Sequence, residues 1–365
     1  VAMMRKPVNL VTWLEYHLRA IGVCRFFIRI EEASELKPLL ETPPWDRLVE
    51  ASFAPLGVSN GRDYFEQMER QKKYIELDAI PRARAAKLTH LLHIDDDELL
   101  YCCCGQESLH AELGNAPTEY CDLHVPNVEA LLPTPHSRDD IFRGVTVFRH
   151  VLEQYSAYTN GKSICRLSAV GLACRGPHRF RCAASLQGMP VSLDLPAHVA
   201  CVLHFESATF LIWKAKFGAL AQRHRSGLDW GAHAPSRPCD AIPLAYYRES
   251  IGAMQALLQA EASADKDSIK TAEGEALQLW CKWKMAPEWL SSLRSSGQPV
   301  VLNEHDVTLL DPFKQLEGNE LQTDRGSVHP PSSTCDLLNQ LGLTDLCRAL
   351  GHYPITMLRA AEIEG

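Results

Sequence analysis

The sequence contains no run of 18 apolar residues, so nothing in it reads as a membrane-spanning helix. It lacks a basic surplus as well: 37 Lys and Arg stand against 45 Asp and Glu, for a net charge of -8. That balance argues against bulk nucleic-acid binding. No signal-like stretch follows Val1, and an anchor or targeting segment upstream would leave no trace here. The 13 cysteines, including Cys102-Cys103-Cys104, lack zinc-ligand spacing and are odd in number. Buried free thiols are therefore expected, ahead of a zinc site or a full disulfide framework. A phosphate loop is also missing. Gly161-Lys162-Ser163 looks like the end of one, but position 156, where such a loop needs glycine, is Ser156.

What is present begins with an ordinary globular balance, 46% hydrophobic and 22% charged over 365 residues. That length suits one large α/β domain with an appendage, or two domains. Val1 to Arg5 reads as a strand. Asn9 is placed to cap a helix carrying Val11, Leu14, Leu18 and Ile21 at helical spacing, with Gly22 as its stop. Val23 to Ile30 reads as a second strand running into Glu31-Glu32. Strand, helix, strand in some 30 residues is a βαβ unit and implies a parallel sheet, whose ligands bind beyond the carboxyl ends of the strands.

The apolar stretch Thr89 to Ile94 is expected as a buried strand, and it ends in Asp95-Asp96-Asp97-Glu98. Four clustered carboxylates repel one another unless a cation sits among them. On an extended backbone Asp95 and Asp97 point the same way, which suits a hard divalent ion such as Mg²⁺ or Mn²⁺. The residues alone read equally well as a solvated acidic turn. Further along, Pro81 is expected to break or kink a charged helix starting near Asp63. Val199 to Phe205 reads as another apolar strand, and 221–245 as an irregular surface loop. Trp280 and Trp283 fit core packing of a helix over Glu273 to Lys284.

In this order the blocks resemble A-type-fold glycosyltransferases of the family 2 and family 92 (galactosyltransferase-like) group. Trp13-Leu14-Glu15-Tyr16-His17 with Gly22-Val23 resembles that group's "EWxxYH…xGV" opening, and His93 to Leu99 its "hxDxDEf" metal motif. Asn127-Val128-Glu129-Ala130, Gly161-Lys162-Ser163-Ile164, Gly176-Pro177-His178, Leu203-His204-Phe205 and Trp213 to Phe217 resemble its later blocks. The resemblance spans about residues 1 to 285. Two places depart from it: Glu31-Glu32-Ala33-Ser34-Glu35 replaces a "D-x-S-x-D" block, and His204-Phe205 replaces "HY".

The resemblance implies an α/β, Rossmann-like A-type fold, its mostly parallel sheet flanked by helices. The catalytic domain would cover 1–290, followed by a linker over 291–334 and a small helical appendage over 335–365. The implied activity is metal-dependent transfer of a sugar from a nucleotide donor, a UDP-hexose, to a glycan or protein hydroxyl, with inversion. Mn²⁺ or Mg²⁺ would be held by Asp95, Asp97 and His204, with His178 as the rival histidine. Glu31, Glu32, Asp95, Lys162 and Arg166 would bind the donor, and Glu129 would deprotonate the acceptor. Glu129 reads equally as a hydrogen-bonded acid, whereas a turn-holding role is favoured for His178 and packing on its own helix for His17. Members of the group often work in the Golgi lumen behind an anchor. The leucine-rich tail resembles the start of a sterile-alpha-motif module and so implies a protein partner. Two alternatives remain at this level: a degenerate transferase fold serving as a binding module, and a metal-dependent nucleotidyltransferase or phosphohydrolase.

Overall fold

The structure, a computed structural model, describes residues 1–54, 64–132, 140–150, 154–224, 241–285, 301–302 and 307–313. The helical tail over 335–365 lies outside the described residues. The chain forms two compact units, where the sequence reads 1–290 as one domain. The first takes Val1–Pro126 and Asn160–Val202 together with Pro312 and Phe313, and the second takes Asn127–Thr159 and Leu203–Asp311.

The first unit opens with the expected βαβ: β1 (Ala2–Arg5), α1 (Leu10–Ala20) and β2 (Phe26–Glu31). Strand β2 runs parallel to β1, with Ala2 opposite Ile28. Leu10, Trp13, Leu14 and Leu18 fill the buried face of α1. Burying each such side chain stabilises by roughly 1.5–3 kcal/mol. Asn9 occupies the N-cap position, and Gly22, at φ 76°, takes the left-handed conformation that ends the helix. Two single-turn helices, α2 (Lys37–Leu40) and α3 (Trp45–Leu48), lead to β3 (Val49–Ala54), which joins β2 in parallel.

A helix α4 (Tyr64–Tyr74) continues through a π-helical turn at Ile75–Ala79 into α5 (Ile80–Ala85). Pro81 thus sits in the first turn of α5, where a missing N–H is tolerated, and the irregularity falls just before it. Ile75, Ala79, Ile80 and Ala83 pack with Phe27 and Leu91, pinning this helical run to the sheets. Then come β4 (His90–His93), β5 (Glu98–Tyr101), α6 (Gln106–Asn115) and β6 (Asp122–Val125). The chain enters the second unit for β7 (Asn127–Leu131) and β8 (Val147–Arg149). It returns as β9 (Lys162–Arg166), β10 (Ala173–Arg175), β11 (Arg179–Arg181) and β12 (Ser192–Asp194).

Within the first unit, the second sheet has the order β12-β6-β9-β4. Here the expected parallel character gives way: β9 is antiparallel to both β4 and β6, and only β12 and β6 run parallel. Gly161, at φ 57°, leads directly into β9. The carbonyl of Val1 accepts the Ile94 N–H at 3.2 Å and ties the start of the chain to the end of β4. The class is α/β, and the first unit holds a parallel sheet, a mixed sheet and the antiparallel pair β10-β11.

The expected strand Val199 to Phe205 appears as β13 (Cys201–His204), where the chain leaves for the second unit. There β8 is antiparallel to β7, with Arg149 opposite Glu129. Helices α7 (Phe210–His224), α8 (Ala241–Ser263) and α9 (Lys266–Lys284) follow. Asp265 caps α9, accepting from the N–H of Ser268 at 3.1 Å. Trp213, Phe217, Tyr246 and Trp280 form a fully buried aromatic core. Two short strands, β14 (Val301–Leu302) and β15 (Val307–Leu309), lie inside the stretch read as linker, and β15 pairs with β8. Residues 225–240 of the expected surface loop lie outside the described residues. Among the described residues no helix is long and apolar enough to cross a membrane, and the cysteines are free, with Cys102, Cys121, Cys165, Cys174, Cys182 and Cys201 buried.

Candidate functional site

The acidic run forms a tight turn between β4 and β5, closed by the Glu98 N–H on the Asp95 carbonyl at 3.3 Å. Its backbone is held from α1. The Trp13 indole donates to the carbonyls of Asp95 (3.0 Å) and Glu98 (2.9 Å). One turn further along the helix, His17 Nε2 accepts the Leu100 N–H at 3.2 Å. Because Nε2 accepts, the ring proton sits on Nδ1, which donates to the Trp13 carbonyl at 2.9 Å. Burial drops His17 to a pKa of about 3, so it stays neutral. It packs on its helix, as expected, and in addition fixes the turn.

The carboxylates of the turn are organised from β9. Lys162 is fully buried, and its ammonium contacts Asp95 Oδ2 and lies 3.4 Å from Glu98 Oε2. Burial would pull this lysine down; Asp95 first and Glu98 next outweigh it and hold it above its ordinary value. Likewise burial would raise Asp95, but the Lys162 charge holds it well below the usual carboxylate range. The second oxygen of Asp95 accepts from the Gln71 carboxamide at 3.2 Å, and Gln71 gives its other proton to His93 Nε2 at 2.9 Å. Burial, then the Lys162 charge, keeps His93 neutral. Glu98, itself buried, returns to the backbone and accepts the Asp95 N–H at 2.8 Å. At the tip of the turn, Asp96 is pushed well up by burial and then by Asp97 and Asp95.

The other expected residues fall as follows. His178 donates from Nδ1 to the Gly161 carbonyl at 2.9 Å, next to Lys162, which is the turn-holding role. Glu31 and Glu32 do lie at the carboxyl end of β2. Glu31 pairs with Arg29 (3.3 Å) and Arg70 (3.4 Å), and Glu32 with Arg5 (2.7 Å). Arg166 sits at the far end of β9, opposite His90, and donates to the carbonyl of Ala116 at 2.8 Å. The structure therefore brings Asp95, Asp97, Lys162 and His178 to one region of the first unit, and leaves Arg166 at the other end of its strand.

Two expected residues belong to the second unit. His204 is buried at the end of β13, its ring 4.6 Å from that of Tyr158. Glu129 is buried on β7 and is the centre of an ionic cluster. Its oxygens accept from Arg149 (3.1 Å), the Ser156 N–H (2.8 Å) and hydroxyl, the Ala157 N–H (3.1 Å) and Lys284 (3.1 Å). Burial would raise Glu129, but Lys284 and Arg149 lower it on balance. A carboxylate so fully engaged is a poor proton acceptor.

The cation implied by the resemblance needs carboxylate oxygens that are not already committed. Both Asp95 oxygens are taken, one by an ammonium, so the Asp95-centred set does not fit a divalent ion as it stands. Among the described residues no group of three or more His, Cys, Asp or Glu is arranged to hold a metal. Sequence reading missed Trp13 as a clasp, Gln71 and the linking role of Glu98. Trp13 and His17, four apart on an apolar helix face, were the available signal. The chain matches no family model and no curated protein.

Proposed function

We propose that this protein transfers a sugar from a nucleoside diphosphate donor, a UDP-hexose, to a hydroxyl of a glycan or protein. The observation that supports this reading is the acidic turn Asp95–Glu98, held rigid at the carboxyl end of β4 by Trp13 and Lys162. Side chains beyond strand ends are where α/β sheets bind ligands, and Glu31 ends β2 with Glu32 directly after it. A role for Mn²⁺ or Mg²⁺ belongs to this proposal and bears on Asp97, at the tip of the turn.

One observation favours a second reading. The turn carries its own cation in Lys162, an arrangement that a degenerate transferase fold used as a binding module would keep. Calorimetric titration with UDP, with Mn²⁺ and with EDTA, tests the first reading. Binding weakened at least tenfold by Asp97→Ala is expected. No binding of UDP, nor of GDP in a repeat titration, would overturn it. Nucleotide binding without hydrolysis or transfer of any UDP-hexose would favour the second.

A further inference from the structure

We propose that Lys162 is the resident counter-cation of the acidic turn, so that Asp95 is a positioning residue and not a ligand of a divalent ion. Three observations carry this. The Lys162 ammonium is fully buried and lies between Asp95 Oδ2 and Glu98 Oε2, the place a metal bridging these two carboxylates would take. The remaining Asp95 oxygen is held by Gln71, and Glu98 Oε2 is also held by the Asp95 N–H. Finally, the lysine is delivered by a strand paired on both sides, with Lys162 opposite Val125 on β6 and Ser163 opposite His93 on β4. Its ammonium is thus aimed by backbone pairing rather than by a mobile surface side chain.

A dication and an ammonium repel each other and compete for the same oxygens. Divalent ions should therefore compete for Asp95 only when the ammonium is gone. Replacing Lys162 by a neutral residue turns Asp95 and Glu98 into a bare dicarboxylate, the hard-oxygen pair that Mn²⁺ takes readily. The inference rests on the turn's own contacts and stands whether or not the protein transfers sugar.

The test uses the full chain and Mn²⁺ alone, followed by the loss of the free-ion signal in electron paramagnetic resonance. Wild type and Asp95→Asn should titrate within twofold of each other, whether or not Mn²⁺ binds elsewhere. Lys162→Met should bind Mn²⁺ at least tenfold more tightly than wild type, and Lys162→Met/Asp95→Asn should lose that gain. Tenfold weaker Mn²⁺ binding by Asp95→Asn overturns the proposal, as does a folded Lys162→Met with no gain. Should Lys162→Met not fold, the comparison of Asp95→Asn with wild type decides. A second readout is the nitrogen signal of the Lys162 ammonium, expected to be slowly exchanging and unmoved by Mg²⁺; a shift dependent on Asp95 would count against the assignment. Failure of UDP to bind leaves these outcomes unchanged.

Discussion

Burial lowers the imidazoles of His17 and His90 in the first unit, neither of which belongs to the acidic run. His17 is satisfied as a neutral ring by one donor and one acceptor, and burial takes it to about 3. Burial, with the Arg166 and His110 charges, takes His90 to about 4. Both values lie below the ordinary 6.5, so at acid pH the unfolded chain binds more protons than the folded one. Their contribution is complete above pH 6.5 and is lost as pH falls through about 4 and then about 3. For His17 the stake is on the order of a few kcal/mol. Urea midpoints should therefore fall between pH 7 and pH 4.5, and His17→Gln should flatten that slope while lowering stability at pH 7. An unchanged slope in the variant would show that His17 is not the source. The same residue marks what was legible. Trp13 and His17 could be read as a helix face from their spacing, but not as donors and acceptors to a turn more than 80 residues away.

At the scale of elements, the delivery of Lys162 depends on a single glycine. Gly161 sits at φ 57°, where a side chain is strained. A Cβ there would also lie 2.2 Å from the Val125 carbonyl oxygen and 2.7 Å from His124 Nε2. The backbone is fixed from both sides, since His178 binds the Gly161 carbonyl and His124 Nε2 reaches the Asn160 carbonyl at 2.7 Å. Gly161→Ala should accordingly destabilise the first unit by about 2–4 kcal/mol, by strain plus displaced pairing between β6 and β9. It should also raise amide exchange over 162–166 and 95–98 together, because the lysine and the turn are coupled. Raised exchange in β9 alone would mean that the turn stands without Lys162. In the sequence this glycine was visible as part of a Gly-Lys-Ser string. Its use was not: the string only looks like the end of a phosphate loop, which Ser156 rules out, and the structure uses it to start a strand. The βαβ opening was legible because its apolar periodicity is local; the antiparallel pairing of β9 was not, because it joins segments far apart in the chain.

Over the molecule as a whole, among the described residues each unit buries a lysine against two carboxylates. In the first it is Lys162 with Asp95 and Glu98; in the second it is Lys284 with Glu129 at 3.1 Å and Glu206 at 2.5 Å. The partners are 67 residues apart for Lys162–Asp95 and 155 for Lys284–Glu129. No periodicity reports such a pair, so neither cluster could be read before the fold. Breaking a buried ion pair from one side is costly because the other charge stays behind unneutralised. Lys284→Met should therefore destabilise the second unit by about 3–5 kcal/mol, even though Glu129 keeps Arg149 and Ser156 and Glu206 keeps Lys216 at 2.6 Å. Adding Glu206→Gln should recover part of that loss, since one stranded charge is removed; a purely additive double variant would show that the pair is not coupled. The pH dependence has a definite sign. Burial would raise Glu206, but Lys216 and Lys284 hold it far below its ordinary 4.5. Its stabilisation is thus present above pH 4.5 and fades as pH falls, and in Lys284→Met that fading should shrink. Amide exchange over 127–131 and 203–209, followed against pH in both proteins, reads this out segment by segment, and equal pH profiles would mean that Lys284 is packed beside Glu206 without setting its charge.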